Sequence, residues 1–216
     1  MDVLDRPNPH TLDIVNVSGP SSDETGRVQS LLDEPFAHGR WRYYGASGLR
    51  GNLQHLAAVV RMASYAPLFA HIDGWQWTPN LIWVDNLNIY GTPNYYVQKA
   101  FSTNRGDVVL PVQVTAGQAK SQPGFFASAT RDELAGEIIL KVVNTGADPV
   151  TATLEIKGVA RLKSTGLAVT ISGQLAAENS LDEPRKVAPV SATVSGVGPE
   201  FRYTFKPYSL TVLRLG

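Results

Sequence analysis

Val150-Thr151-Ala152-Thr153-Leu154-Glu155-Ile156-Lys157 alternates apolar and polar side chains for eight positions. A strand turns successive side chains to opposite faces, so this pattern describes a strand with one face in a core and one in water. Phe201, Tyr203 and Phe205 repeat it against Arg202, Thr204 and Lys206, and Leu167, Val169 and Ile171 follow the same rule. The last run is less regular. Leu210 and Val212 point one way and Leu213 and Leu215 the other, with Thr211 and Arg214 as its only polar members. That predicts a strand covered on both faces. Asn144-Thr145-Gly146, Gly158, Gly173 and Gly196-Val197-Gly198 punctuate these runs. Short strands separated by turns, without a tandem repeat, predict a mainly β chain with an antiparallel β-sandwich or jelly roll over residues 107–216.

Upstream, over 49–106, the period changes. Leu53, Leu56, Ala57 and Val60 fall at i, i+3, i+4 and i+7, the stripe of an amphipathic helix that Pro67 ends. Leu81-Ile82-Trp83-Val84 is a continuous apolar run, which suits a strand buried on both faces as in a parallel sheet. A second helix is expected over 92–105. Thr92 can cap it, Pro93 fits its first position, and Gly106 stands where a left-handed C-terminal residue belongs. Tyr96, Val97, Ala100 and Phe101 form its inward face. Helix, strand, helix is the grammar of an α/β barrel or a wound sheet, and a single strand makes no sheet alone.

Residues 1–48 carry neither period. Pro7, Pro9, Pro20 and Pro35 interrupt every candidate element, so this stretch reads as a disordered or loosely docked leader. Nineteen basic and nineteen acidic side chains cancel, which argues against nucleic acid or an anionic membrane as partner. The chain has no cysteine, which excludes disulfides and thiolate metal sites. No signal peptide is legible at the start and no apolar run approaches the roughly 20 residues that span a bilayer, leaving a soluble, cytoplasmic chain as the default expectation.

Several segments carry a resemblance. Val60-Arg61-Met62-Ala63-Ser64-Tyr65-Ala66-Pro67-Leu68-Phe69, Trp77-Thr78-Pro79-Asn80-Leu81-Ile82-Trp83 and Tyr90-Gly91-Thr92-Pro93-Asn94-Tyr95-Tyr96-Val97-Gln98 resemble the α-L-arabinofuranosidases of glycoside hydrolase family 51. So do Asn179-Ser180-Leu181-Asp182-Glu183-Pro184 and Tyr208-Ser209-Leu210-Thr211-Val212-Leu213-Arg214-Leu215, in the same order. The resemblance covers about residues 50–216. It implies an N-terminal (β/α)8 barrel followed by a C-terminal jelly roll, and removal of terminal α-L-arabinofuranosyl groups from arabinoxylan and arabinan with retention. Residues 80–86 would then be the last barrel strand, 92–105 the last barrel helix and 107–216 the jelly roll.

The same resemblance implies two catalytic glutamates on earlier barrel strands, the acid/base one after a Gly-Asn pair. Retaining hydrolysis needs such a pair about 5–5.5 Å apart. Here Gly51-Asn52 precedes Leu53, and the only glutamates before residue 107 are Glu24 and Glu34, neither at the end of an apolar strand. No catalytic residue is therefore assigned.

Five residues are candidates for sugar contact. Trp75 and Trp77 can stack on a sugar ring, and Asn80 can donate a hydrogen bond. Asp85 and Asn86 follow the apolar strand at its carboxyl end, the end that carries chemistry in barrels. The plainer alternative packs the indoles beneath their loop and lets Asp85-Asn86 turn the chain. His10, His38, His55 and His71 show no ligand spacing, and no nucleotide or phosphate-binding motif occurs, so neither metal nor cofactor is expected. Asp182-Glu183 is an adjacent acidic pair, and neighbours in extended chain point apart, so it makes no catalytic dyad.

Two functions follow. One is the C-terminal portion of an arabinofuranosidase, inactive alone and acting on an arabinose-containing polysaccharide or oligosaccharide with the rest of the enzyme. The other is a non-enzymatic β-sandwich that binds carbohydrate or protein. The barrel-like segments at 60–105 favour the first. An apolar strand without lateral neighbours also predicts self-association through 49–106, or docking onto a separately made barrel.

Overall fold

The computed structural model describes residues 67–76, 80–114, 124–159 and 161–216. It begins with three short strands, β1 (Phe69–His71), β2 (Ile82–Val84) and β3 (Ile89–Gly91), followed by helix α1 (Pro93–Thr103). Eight strands come next: β4 (Val108–Leu110), β5 (Phe125–Asp132), β6 (Glu137–Asn144), β7 (Val150–Glu155), β8 (Thr165–Ser172), β9 (Val190–Ser195), β10 (Glu200–Phe205) and β11 (Ser209–Leu215). Six of them form an antiparallel sheet in the order β4-β5-β6-β11-β8-β9, and β10 pairs with β7 in a two-stranded ribbon.

The alternation rule explains how the ribbon meets the sheet. Val150, Ala152 and Leu154 of β7 and Phe201, Tyr203 and Phe205 of β10 share one core with Leu140, Val142, Leu213 and Leu215. Phe205 packs edge-on against Phe125 and Tyr203, with ring centroids 5.4 and 4.8 Å away. This is the expected β-sandwich. The opposite face of the six-stranded sheet is covered by α1. Val97, Ala100 and Phe101 join Ile139, Val143, Ile171, Leu210 and Val212 in a second core, with Tyr96 at its margin. β11 accordingly divides as its sequence predicts, with Leu210 and Val212 toward the helix and Leu213 and Leu215 toward the ribbon. Leu167 shares a face with Val169 and Ile171 but remains exposed.

Helix α1 starts as its sequence indicates. Thr92 is the N-cap, its side chain accepting from Tyr95 N, and Pro93 occupies the first turn. Its end differs. Asn104 is the C-cap with φ −115°, and its amide donates to Ala100 O at 2.9 Å. Gly106 does not adopt a left-handed backbone. It is a glycine of close approach, because a Cβ there would lie 2.4 Å from Arg131 O. Arg214 pairs with Glu137 through Nε at 2.7 Å and also reaches Asn104 Oδ1, which ties the helix end to β6 and β11.

The upstream segment corrects several expectations. The apolar strand is not alone: β2 pairs in parallel with β1 and antiparallel with β3, so both its lateral edges are filled within the chain. Three-residue strands are too short to display a period, which is why β1 and β3 left no pattern in the sequence. The argument for self-association from the unpaired edges of β2 therefore fails. Nor is β2 covered on both faces, since Ile82, Trp83 and Val84 are all half-buried. The stripe of α1 also needs no barrel strand for cover, because the sandwich sheet supplies it. The leader at 1–48 and the helix expected through 53–60 lie outside the described residues.

Candidate functional site

β1 and β2 run parallel with His71 opposite Val84, so His71, Asp85 and Asn86 gather at one end of the small sheet. Trp83 lies opposite Tyr90 in the next strand, and the indole of Trp75 meets that of Trp83 edge-on, 5.9 Å between centroids at 84°. Trp75 remains 51% exposed, which leaves ring surface available for stacking. Trp77 lies outside the described residues.

Among the described residues the candidates do not converge on one point. Asn80 is 2% exposed and precedes β2, whereas Asp85 follows it. Five residues of extended chain separate them by up to about 16 Å. Asn86 is exposed.

Asp85 is engaged by its own turn. Its Oδ1 accepts from Leu87 N at 2.7 Å and from Asn88 N, and its Oδ2 accepts from the Asn88 amide at 3.1 Å. Its backbone N donates to Asn88 O at 3.0 Å, closing the link from β2 to β3. The backbone bond from Leu87, then the bonds from Asn88, hold the carboxyl below its ordinary range, with a smaller contribution from His71. A carboxyl so held stays ionised at neutral pH and has no proton to donate, which makes it a poor general acid. Among the described residues no group of three or more His, Asp or Glu side chains is placed to hold a metal ion.

Sequence reasoning missed the residue that links this sheet to the sandwich. Asn179, in the loop between β8 and β9, donates to Gly91 O at 2.8 Å. Next to it, Glu178 adds to the burial that raises the Tyr90 hydroxyl above its usual pKa. The only signal in the sequence was that Asn179 opens one of the segments carrying the family resemblance. Spacing cannot reveal a bond across 88 residues.

The architecture defines the class first: a β-sandwich domain with a covering helix, joined to a short piece of mixed sheet containing one parallel pair. The chain belongs to the family described as the α-L-arabinofuranosidase C-terminal domain, which matches residues 46–209. It is 34% identical over 163 residues to a probable α-L-arabinofuranosidase A of Aspergillus terreus, covering 74% of this chain and 24% of that one. Against α-L-arabinofuranosidase 1 of Arabidopsis thaliana the identity is 29% over 165 residues, with the same coverage of 74% and 24%. The chain thus spans about a quarter of the length of these curated relatives and corresponds to the C-terminal region of family 51 arabinofuranosidases. Among solved structures, an arabinose-bound family 51 α-L-arabinofuranosidase superposes with a TM-score of 0.69 at 28% identity, over 79% of this chain and 27% of that one. The Thermotoga petrophila family 51 enzyme superposes with a TM-score of 0.68 over 95% of this chain and 43% of its own, and at 22% identity supports the fold alone.

Proposed function

We propose that this chain is the C-terminal portion of a retaining α-L-arabinofuranosidase and that it does not hydrolyse arabinofuranosides by itself. The observation that carries this reading is a family match over residues 46–209 in a chain that covers only 24% of the length of a probable α-L-arabinofuranosidase A. The relatives' names point to α-L-arabinofuranosides as the substrate class, and the resemblance in the sequence implies terminal groups on arabinan or arabinoxylan, cleaved with the remainder of the enzyme. The two glutamates that retention requires belong to that remainder, since Gly51-Asn52 here leads to Leu53. The small sheet offers Trp75 as a surface on which a sugar ring stacks.

The test is hydrolysis of an aryl α-L-arabinofuranoside by the purified chain. The expected result is no release above the uncatalysed background. Turnover that disappears in Glu24→Gln or Glu34→Gln would overturn the reading. In a separate binding measurement with arabino-oligosaccharides, Trp75→Ala is expected to weaken any affinity by roughly three- to tenfold, the value of one aromatic contact.

A further inference from the structure

Asn179 is 5% exposed and its amide is engaged on both of its polar atoms. Nδ2 donates to Val187 O at 3.0 Å, and Oδ1 accepts from Val187 N at 2.7 Å, which closes the loop locally. The remaining bond, from Nδ2 to Gly91 O, leaves the sandwich and ends on the last residue of β3. A buried amide with both N–H donors and its oxygen engaged is costly to disturb, because each lost partner strands a donor or an acceptor away from water.

Gly91 is where the parts of the chain meet. It faces Ile82 across the β2–β3 pair. The Tyr95 ring of α1 lies so close that a Cβ on Gly91 would come within 2.3 Å of it. The next residue, Thr92, donates to Leu81 O through N at 3.0 Å and Oγ1 at 2.9 Å while it caps α1.

We infer that Asn179 is a positioning residue: through Gly91 O it fixes the three-stranded sheet against the sandwich, its bonds to Val187, a residue of the core beneath α1, hold its own loop, and β6 and β11, to which it makes no bond, keep their fold without it. The inference rests on this geometry and stands apart from the enzymatic reading.

Hydrogen–deuterium exchange of the full chain, read by peptide, tests it. Asn179→Asp keeps an acceptor for Val187 N but turns an oxygen toward the Gly91 and Val187 carbonyls. Residues 82–91 are expected to exchange at least about tenfold faster, while 137–144 and 209–215 keep wild-type rates. Asn179→Ala, which leaves room for water, is expected to give the same order with a smaller factor. Ser180→Ala, which removes only an acceptor for Glu183 N within the loop, is expected to leave 82–91 unchanged. Unchanged exchange at 82–91 in both Asn179 variants would overturn the inference. So would equal acceleration at 137–144 and 209–215, failure of both variants to fold, or an effect of Ser180→Ala on 82–91 as large as that of Asn179→Asp.

Discussion

In β11, Leu210, Val212, Leu213 and Leu215 are all fully buried, whereas in β2 Ile82, Trp83 and Val84 are all only partly buried. Both runs are apolar and both are central in their sheets. The difference lies in what covers them. β11 has the ribbon on one side and α1 on the other, while among the described residues β1–β3 contribute none to either core. The small sheet also carries Leu68, Phe69, Trp75, Leu87 and Ile89 as exposed apolar side chains. Sequence apolarity therefore states how much cover a strand can use, and only the surrounding chain determines how much it receives.

The largest effect expected from this comparison is on deleting residues 1–106, which removes α1. Val97, Ala100 and Phe101 would leave the sheet, uncovering Ile139, Val143, Ile171, Leu210 and Val212. Val97 and Phe101 at about 1.5–3 kcal/mol each and Ala100 at about 0.8 kcal/mol, with the sheet side chains they uncover, reach a large part of the stability of a small domain, about 5–15 kcal/mol. The truncated chain should lose cooperative thermal unfolding, whereas a chain beginning at residue 92 should retain it. Equal melting of the two would separate α1 from the sandwich and break the comparison.

Point substitutions sharpen it. Phe101→Ala should cost about 3–5 kcal/mol in denaturant unfolding, the usual range for emptying a buried ring site. Ile89→Ala, on the half-exposed sheet, should change stability by less than about 0.5 kcal/mol.

The core beneath α1 also holds Lys141, 1% exposed, with its ammonium 5.3 Å from the centre of the Phe101 ring. Burial lowers its pKa to about 8. The folded state therefore binds fewer protons than the unfolded state between about pH 8 and the ordinary lysine value of 10.5. Stability must rise with pH across that window. Urea unfolding at pH 8 and pH 10 should show the rise, and Lys141→Met should abolish it.

The smallest effect concerns the turn after β2. The Asp85 carboxyl is held below its ordinary value of 3.8, so its contribution is present above that pH and is lost as pH falls through the lower folded value. Asp85→Ala should speed amide exchange at Leu87 and Asn88 and leave β6 and β11 unchanged.

Legibility in the sequence followed the same division. β7, β10 and β11 were readable because their alternation, or its regular failure in β11, mirrors cover on one face or two. α1 was readable from Thr92, Pro93 and its apolar stripe. β6 was not recognised, because Ile138-Ile139-Leu140-Lys141-Val142-Val143 is buried throughout and places a lysine where no pattern would put one. β1 and β3 were too short to show a period. Of the candidate site, Trp75 is an exposed ring in the structure, while the long-range bond from Asn179 leaves no local trace in the sequence.

Native-state hydrogen exchange of the unmodified chain as a function of urea is the most direct test of the contrast between the two regions. Amides of β6, β8 and β11 should exchange only through global unfolding, with a steep dependence on denaturant. Amides of β1, β2 and β3 should exchange at least about a hundredfold faster, through local opening with little dependence on denaturant. A single protection level and a single denaturant slope across both regions would show that they unfold as one body, contradicting the account.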